Sequence, residues 1–536
     1  MNMNIRRLSF DRCHEIENTF HLSSLCAKVL ASKGLDDEQI IKLLEEPKLA
    51  DPLSAIGMKE VISRIQQAKQ NGEKVLICGD YDADGICSTA ILVDALRIYG
   101  VECGFYIPNR LSEGYGLHPH TVQLAYDKGY GLLITVDNGV KAFDALQLAK
   151  ELNLDVIVTD HHNMDEPIDC LYLLHPFLMG DRFSTLSGAG VAMEISRALI
   201  GENKEHVVLA CVAAIADVMS LTQETRAIVK LGIQYLKQGI CLPIRMLAND
   251  KYPKWDEVLI AFQIVPKLNV TGRLADMVNV NNTVRYLLLK NEGEIQQVAK
   301  QISDLNDKRK KMSNTMVEKA KTLVHDEYRF QLLFDDSFHE GIVGLVAGKL
   351  AEELQMPVMV AARCKDGFKG SIRSQGLLDL TTFFDDCKPN LSAFGGHRAA
   401  AGIGFDFENK QAIQDYVNTK MEDVVFDTNT TYDVIEVSMP EITLEQVESL
   451  TCLAPFGEGF SEPLFLLEKQ QVQECKSLSK GLHTKWVLND SVEAMHFYDQ
   501  SWKNFQQGQF VSFIGNLRIN TFLGRKKVNI FITDTY

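Results

Sequence analysis

Between Lys74 and His162 the chain alternates between short apolar runs and amphipathic ones. KVLICG, VECGFYIP, YGLLITVDNG and LDVIVTDHH read as strands; ICSTAILVDALRIYG, PHTVQLAYDKG and KAFDALQLAKELN read as helices. Strands that are apolar throughout are buried on both faces, and intervening helices return the chain for parallel pairing. The pattern therefore requires an α/β fold with a parallel sheet covered on both sides. Polar residues gather just past three strand ends, at CGDYDADG, TVDNG and VTDHH. In open α/β sheets the site forms at the carboxyl ends of the strands. Three polar clusters from three strands should then converge in one crevice.

Bulk properties set limits on function. A chain of 536 residues has room for about three to four domains. Its formal net charge of -16 argues against a protein coated in nucleic acid. It allows a basic groove on an acidic body. Twelve cysteines with no CxxC pair disfavour structural zinc and a disulfide framework, so reduced thiols and a cytoplasmic location are expected. The first twenty residues lack an apolar signal-peptide core. The longest apolar stretch, VVLACVAAIADVMSL, is interrupted by Asp217 and too short to span a bilayer, so no membrane association is expected.

The chain divides into an N-terminal helical segment (1–65), the α/β domain with its helical extension (66–280), and a connecting helix (281–327). A second, smaller α/β domain (328–425) and a C-terminal β domain (430–536) follow. The connecting segment carries a basic knot at Lys308, Arg309, Lys310 and Lys311. It can line an entry groove or solvate a helix face. Strand–helix alternation resumes at FQLLFDD, GIVGLVAGKLAEEL and PVMVAARC, with glycines at FKGSIRS and FGGHRAAAG. FDTNTTYD reads as a linker, and GQFVSFIGNLRINTFLGRKKVNIFITD as a β-meander.

Asp80, Asp82, Asp84 and Gly85 fit positions 1, 3, 5 and 6 of a calcium loop. Ile91 then stands where the bidentate Glu is due, and a strand rather than a helix enters the loop, so calcium is disfavoured. An acidic turn in solvent is the plain alternative. It loses ground because TVDNG and TDHH repeat the same placement at neighbouring strand ends. Carboxylates mixed with imidazoles suit manganese, with magnesium, iron or zinc less specifically indicated. Several shared carboxylates suggest two ions about 4 Å apart, which suits phosphodiester hydrolysis.

GDYDADG, VDNG, DHH and AIADVMSL, in this order and spacing, resemble the motifs of the DHH phosphoesterase superfamily. YIPNRLSEGYGL, PKLNVTGR, GSIRS and FGGHRAAAG narrow the likeness to the RecJ single-strand-specific exonucleases, over most of the chain. The resemblance implies a DHH catalytic domain, a DHH-associated domain and a C-terminal OB-like domain. It makes Asp82, Asp84, Asp137, His161 and Asp217 ligands of two divalent ions, manganese first and magnesium second, with Asp137 as the bridge. His162 becomes either the catalytic imidazole or one just behind the ligands, near the leaving oxygen. Adjacent histidines cannot both point inward from a regular strand, so the chain should turn there. Asp160 fits a turn cap better than a ligand. Asp217, a lone acid in an apolar helix, is also open to the reading of a paired buried charge. Manganese pyrophosphatases of the superfamily carry a histidine ligand where Cys78 stands, so either Asp80 completes that shell or the ion is held weakly.

Arg110, after a strand end in IPNR, either grips a phosphate bidentately or is a surface arginine; the same resemblance places Asn269 and Arg273 on the DNA path, and Ser371 and Arg373 at a terminal 5′-phosphate. Gly395 and Gly396 would offer backbone N–H groups to phosphate, with His397 as an added donor. Trp486, Phe497, Tyr498 and Trp502, near Lys526 and Lys527, are either stacking surfaces for bases or core. The expected activity is degradation of single-stranded DNA from the 5′ end in repair and recombination, with a helicase or single-strand-binding protein as partner. Two alternatives are a DHH phosphodiesterase for short oligonucleotides or cyclic dinucleotides, and a non-catalytic DNA-binding replication scaffold.

Overall fold

The computed structural model describes residues 3–164, 166–251, 253–426, 430–522 and 525–535. The chain opens on strand β1 (Met3–Arg7) and three helices, α1 (Cys13–Phe20), α2 (Ser24–Ser32) and α3 (Asp37–Leu44). The first turn of α3 is fixed by a capping box, Asp36 with Gln39. These elements do not form a separate helical segment. Residues 1–48 join 428–536 in one compact unit, and residues 49–427 form the other. The expected 1–65 segment is thus split, because Ile16, Leu25, Leu30 and Ile40 share one core with Leu453, Phe465, Phe513 and Ile530. Buried apolar area, not sequence proximity, decides which pieces cohere.

In that unit β1 pairs in parallel with β12 (Thr430–Glu436). The linker reading of FDTNTTYD fails from Thr430 onward, where this strand begins; residues 427–429 lie outside the described residues. The eight-stranded sheet runs β1-β12-β13-β17-β18-β16-β15-β14. Its remaining strands are Leu464–Gln471, Glu474–Leu478, His483–Val487, Val492–His496, Phe510–Phe522 and Arg525–Thr535, for β13 to β18.

The second unit holds the predicted parallel sheet. Helix α4 (Met58–Asn71) leads to β2 (Lys74–Cys78), α5 (Ala83–Tyr99) and β3 (Cys103–Tyr106). Then come α6 (Pro119–Asp127), β4 (Tyr130–Val136), α7 (Phe143–Glu151), β5 (Asp155–Thr159) and β6 (Tyr172–Leu174). All neighbours in the order β3-β2-β4-β5-β6 are parallel. Helix α5 is buried along nearly its whole length, as its uniformly apolar sequence requires. Helices α8 (Gly188–Ile200) and α9 (Lys204–Ala216) pack on it. Arg64 of α4 stitches one end of the sheet, donating to Glu73 (2.6 Å) and Asp155 (2.8 Å).

The connecting helix spans Glu292–Lys321. It buries a stripe at Ile295, Ala299, Ile302 and Asn306, the spacing of one helical face. The smaller domain is a sheet in the order β10-β11-β9-β8-β7. It comprises β7 (Gln331–Asp335), β8 (Val358–Arg363), β9 (Gly367–Arg373), β10 (Ala393–His397) and β11 (Ala400–Asp406). Only β7 and β8 are parallel, so this sheet is mixed. Among the described residues no helix is long and apolar enough to cross a membrane.

Candidate metal centre and substrate cleft

The acidic stretch after β2 is a strand end, a turn and a helix start rather than a loop. Asp82 is the N-cap of α5, its carboxylate accepting from Gly85 N–H at 3.1 Å. Asp84 lies in the first helical turn and is fully buried. It points at the N-terminus of α8, accepting from Gly188 N–H and Ala189 N–H, both at 2.7 Å, and from Ser187 Oγ at 3.1 Å. A helix N-terminus is a favourable place for a buried carboxylate.

Asp137 follows β4 with a left-handed φ of 63°. Gly188 allows this close approach: a Cβ there would lie 2.6 Å from Asp137 Cβ. After β5 the chain turns, as two adjacent histidines demanded. Asp160 is the cap of that turn, accepting from the backbone N–H groups of His161 (2.7 Å), His162 (3.1 Å) and Val140 (3.0 Å). It also accepts from His162 Nδ1 at 2.8 Å. Asp217 is not inside its helix but caps the C-terminus of α9, with Val218 next in left-handed conformation.

These side chains meet. His161 Nε2 lies 3.1 Å from Asp137 Oδ1, 3.2 Å from Asp217 Oδ2 and 3.6 Å from Asp84 Oδ2. Asp84, Asp137, His161 and Asp217 form one group whose ligand atoms lie within 4.8 Å of one another; Asp80, Asp82 and Asp137 form another. Asp137 belongs to both, and it also forms a set of the same compactness with His161 and His162. Asp80 Oδ1, Asp137 Oδ1 and His161 Nε2 are buried without a hydrogen-bond partner. Orphaned buried polar atoms are costly, and converging ones fit a site for a cation. Burial and then mutual repulsion push the carboxyls of Asp80, Asp82, Asp84 and Asp137 upward. Burial would lower His161, but Asp217 and Asp84 overcome it and raise the imidazole to about 9. Hard oxygen donors with an imidazole suit a divalent cation. Cys78 stands apart from both groups among the described residues; burial holds its thiol neutral, pushed up to about 12.

The centre opens onto a cleft of about 880 Å³. Tyr81, Asp82, Arg110, Tyr115, Asp217, Asn269 and Arg273 line it from the first domain; Ser371, Arg373 and Gly395 line it from the smaller one. Asn269 Oδ1 accepts from Ala83 N–H at 2.7 Å, tying its helix to the start of α5. Arg110 lies over the Tyr81 ring, 5.0 Å from its centroid. Arg373 donates to Ser371 Oγ at 2.6 Å. Burial, and then the charges of Arg110, Arg309 and Arg373, bring Arg273 down to about 10. A cationic wall thus stands beside an acidic centre, on a chain of net charge -16.

The remaining candidate residues are spread over other elements. Gly396 and His397 do not line the cleft. Both lie in β10, an exposed edge strand paired with β11. Trp486 is core, 4% exposed and packed on Phe513. Phe497 and Tyr498 are exposed, and Trp502 is half-buried. Lys526 and Lys527 are paired with Glu448 and Glu493.

Tyr115 has no place in the sequence reading of the site. Its hydroxyl lies 3.0 Å from Asp137 O and 3.1 Å from His162 Nδ1. Its only sequence signal was the SEGYG context of Arg110.

Residues 74–221 match the DHH family, N-terminal domain; residues 325–423 match the DHHA1 domain, and 434–534 the RecJ OB domain. The parallel-sheet domain is accordingly that of a DHH phosphoesterase, a class of hydrolase. A single-stranded-DNA-specific exonuclease RecJ of Bacillus subtilis is 30% identical over 561 residues, covering 100% of this chain and 70% of the relative. The chain belongs to the RecJ family. RecJ of Thermus thermophilus in complex with Mn2+ superposes with a TM-score of 0.87 at 27% identity, covering 100% of this chain and 80% of the other. Its complex with Mg2+ gives 0.80, also at 27%, covering 99% and 78%.

Proposed function

We propose that this chain is a metal-dependent exonuclease that removes nucleotides from the 5′ end of single-stranded DNA, in repair and recombination. The observation that carries this reading is the pair of ligand groups sharing Asp137 at the floor of an arginine-walled cleft. Asp80, Asp82 and Asp137 would hold one divalent cation; Asp137, Asp84, His161 and Asp217 would hold the other. Manganese or magnesium, when bound, supplies positive charge to activate water and to stabilise the attacking and leaving oxygens.

The chain's own groups do the rest. With Asp160 accepting at Nδ1, His162 keeps its proton on that nitrogen, which frees Nε2 to exchange a proton with the leaving oxygen. Arg110, Arg273 and Arg373 hold phosphates, and Asn269 fixes the helix that bears Arg273. Arg373 and Ser371 are suited to a terminal 5′-phosphate, because a guanidinium and a hydroxyl together match its oxygens. A helicase or a single-strand-binding protein would present such a substrate in the cytoplasm.

Single strands labelled at either end test the reading, digested with manganese, with magnesium and with chelator. Release of mononucleotides from the 5′ end, stopped by chelator and by Asp137→Ala in a folded chain, is the expected result. Normal hydrolysis by Asp137→Ala would overturn the shared-ligand assignment. Cleavage of dinucleotides alone would point to the short-oligonucleotide reading. Arg373→Ala should lose the preference for 5′-phosphorylated ends; an unchanged preference would remove that residue from end recognition.

A further inference from the structure

Cys26 and Cys452 are 426 positions apart in sequence, yet their Sγ atoms lie 3.8 Å apart. Cys26 sits in the first turn of α2 and is buried. Its amide donates to the N-cap Ser23 Oγ at 3.2 Å. Its Sγ lies 3.3 Å from Ser449 Oγ, which is itself 2.5 Å from Ser23 Oγ. Cys452 sits in the single helical turn Leu450–Leu453. Among the described residues it is the one exposed cysteine; the other eleven are buried or half-buried. An oxidant arriving from solvent therefore meets Cys452 first, with Cys26 behind it.

Two features favour thiolate on the inner residue. The N-terminus of α2 places positive dipole on Cys26. The neighbouring Cys452 thiol, against burial and helped by the hydroxyls of Ser23 and Ser449, brings Cys26 down to about 6.

We propose that Cys26 and Cys452 form a reversible disulfide, a thiol–disulfide exchange site that takes low-molecular-weight disulfides and fastens α2 to the C-terminal β domain of its unit. The Cys452 thiolate attacks one sulfur of the reagent; the reagent's S–S bond breaks, a mixed disulfide forms, and one small thiolate leaves. The Cys26 thiolate then attacks Cys452 Sγ and expels the second small thiolate. Both leaving groups take up the protons released by the two cysteines. The protein loses two electrons and two protons, and the reagent becomes two thiols. The gap to close is small, from 3.8 Å to a bond of about 2.05 Å. A chain with no disulfide framework can carry such a site, because exchange thiols are regulatory rather than structural.

The test equilibrates the full chain with excess oxidised glutathione or with dithiothreitol. Remaining thiols are then alkylated, and peptides are mapped by mass spectrometry. The oxidised chain should lose about 2 Da and show the Cys26 and Cys452 peptides as one species that dithiothreitol separates. Cys26→Ser should trap a glutathione adduct on Cys452, and Cys452→Ser should yield neither adduct nor cross-link at Cys26. Limited proteolysis supplies a second readout: oxidation should slow cleavage within residues 1–48 of the parent chain and leave Cys452→Ser unchanged. Twelve alkylatable thiols after oxidation, or a glutathione adduct that persists on Cys452 in the parent chain, would overturn the proposal. So would proteolysis indifferent to the oxidation state.

Discussion

Asp137 shows how much a single position is asked to do. It belongs to both ligand groups, takes a left-handed backbone conformation that costs a non-glycine residue about 1–3 kcal/mol, and abuts Gly188. Gly188→Ala would drive a methyl into the Asp137 side chain, and overpacking of this kind costs about 1–3 kcal/mol. We expect at least about a tenfold loss of nuclease activity and weaker manganese binding, read by titration, with the fold retained. Tyr115→Phe tests a quieter role. Without its hydroxyl, the His162 ring loses one of its two close hydrogen-bond partners and keeps Asp160. The expected result is a fall of about tenfold in kcat with KM unchanged, a split that distinguishes orientation from substrate grip. Asp80, Asp82, Asp84, Asp137 and His161 were legible because they gather just past the ends of apolar strands, whereas Asp217 entered only through the family resemblance. Tyr115 was not, because its partners are brought near only by folding. The alternative ligands Cys78 and Asp80 were separable only in three dimensions: the thiol turns into the core and the carboxylate meets Asp82 and Asp137.

Strands and helices of the catalytic sheet were readable almost end to end, since buried parallel strands carry the least ambiguous pattern in a sequence. What the pattern concealed was how elements are tied. Arg64, in a helix with no obvious functional signal, is 8% exposed and bridges Glu73 and Asp155. Burial alone would raise Glu73, but Arg64 and then Asn71 hold its carboxyl below its ordinary value. Such a depressed acid contributes stability above its unfolded pKa and loses it as pH falls through the folded one. Arg64→Met should therefore destabilise the chain by about 3 kcal/mol at pH 7. The deficit should shrink as pH falls below 4.5, the ordinary value of Glu73; urea unfolding at both ends of that range measures it. Strand β10 carries a related lesson. FGGH looks like a phosphate-binding turn in sequence, but pairing with β11 makes it an edge strand, and of its four residues Phe394 and Gly395 line the cleft.

At the scale of the molecule, two units with separate cores should respond separately to ligand. A cation that binds the folded centre at about a hundred times its Kd adds about 2.7 kcal/mol to the unit that contains it. Calorimetry should show manganese raising the transition of residues 49–427 while that of the other unit stays in place. A shift of both together would mean that they unfold as one. The alliance of residues 1–48 with 428–536 could not be foreseen, because nothing in an amphipathic helix names the surface that will cover it.

That alliance has a consequence for how the chain is made. Residues 1–48 leave the ribosome before residues 49–427, and the β-strands that complete their core are made after them. About 380 residues intervene, and at ribosomal rates of roughly 5–20 residues per second the early helices wait about 20–75 seconds with apolar faces uncovered. The nuclease unit can assemble during that interval, so its active centre can be complete before residues 1–48 have found their place.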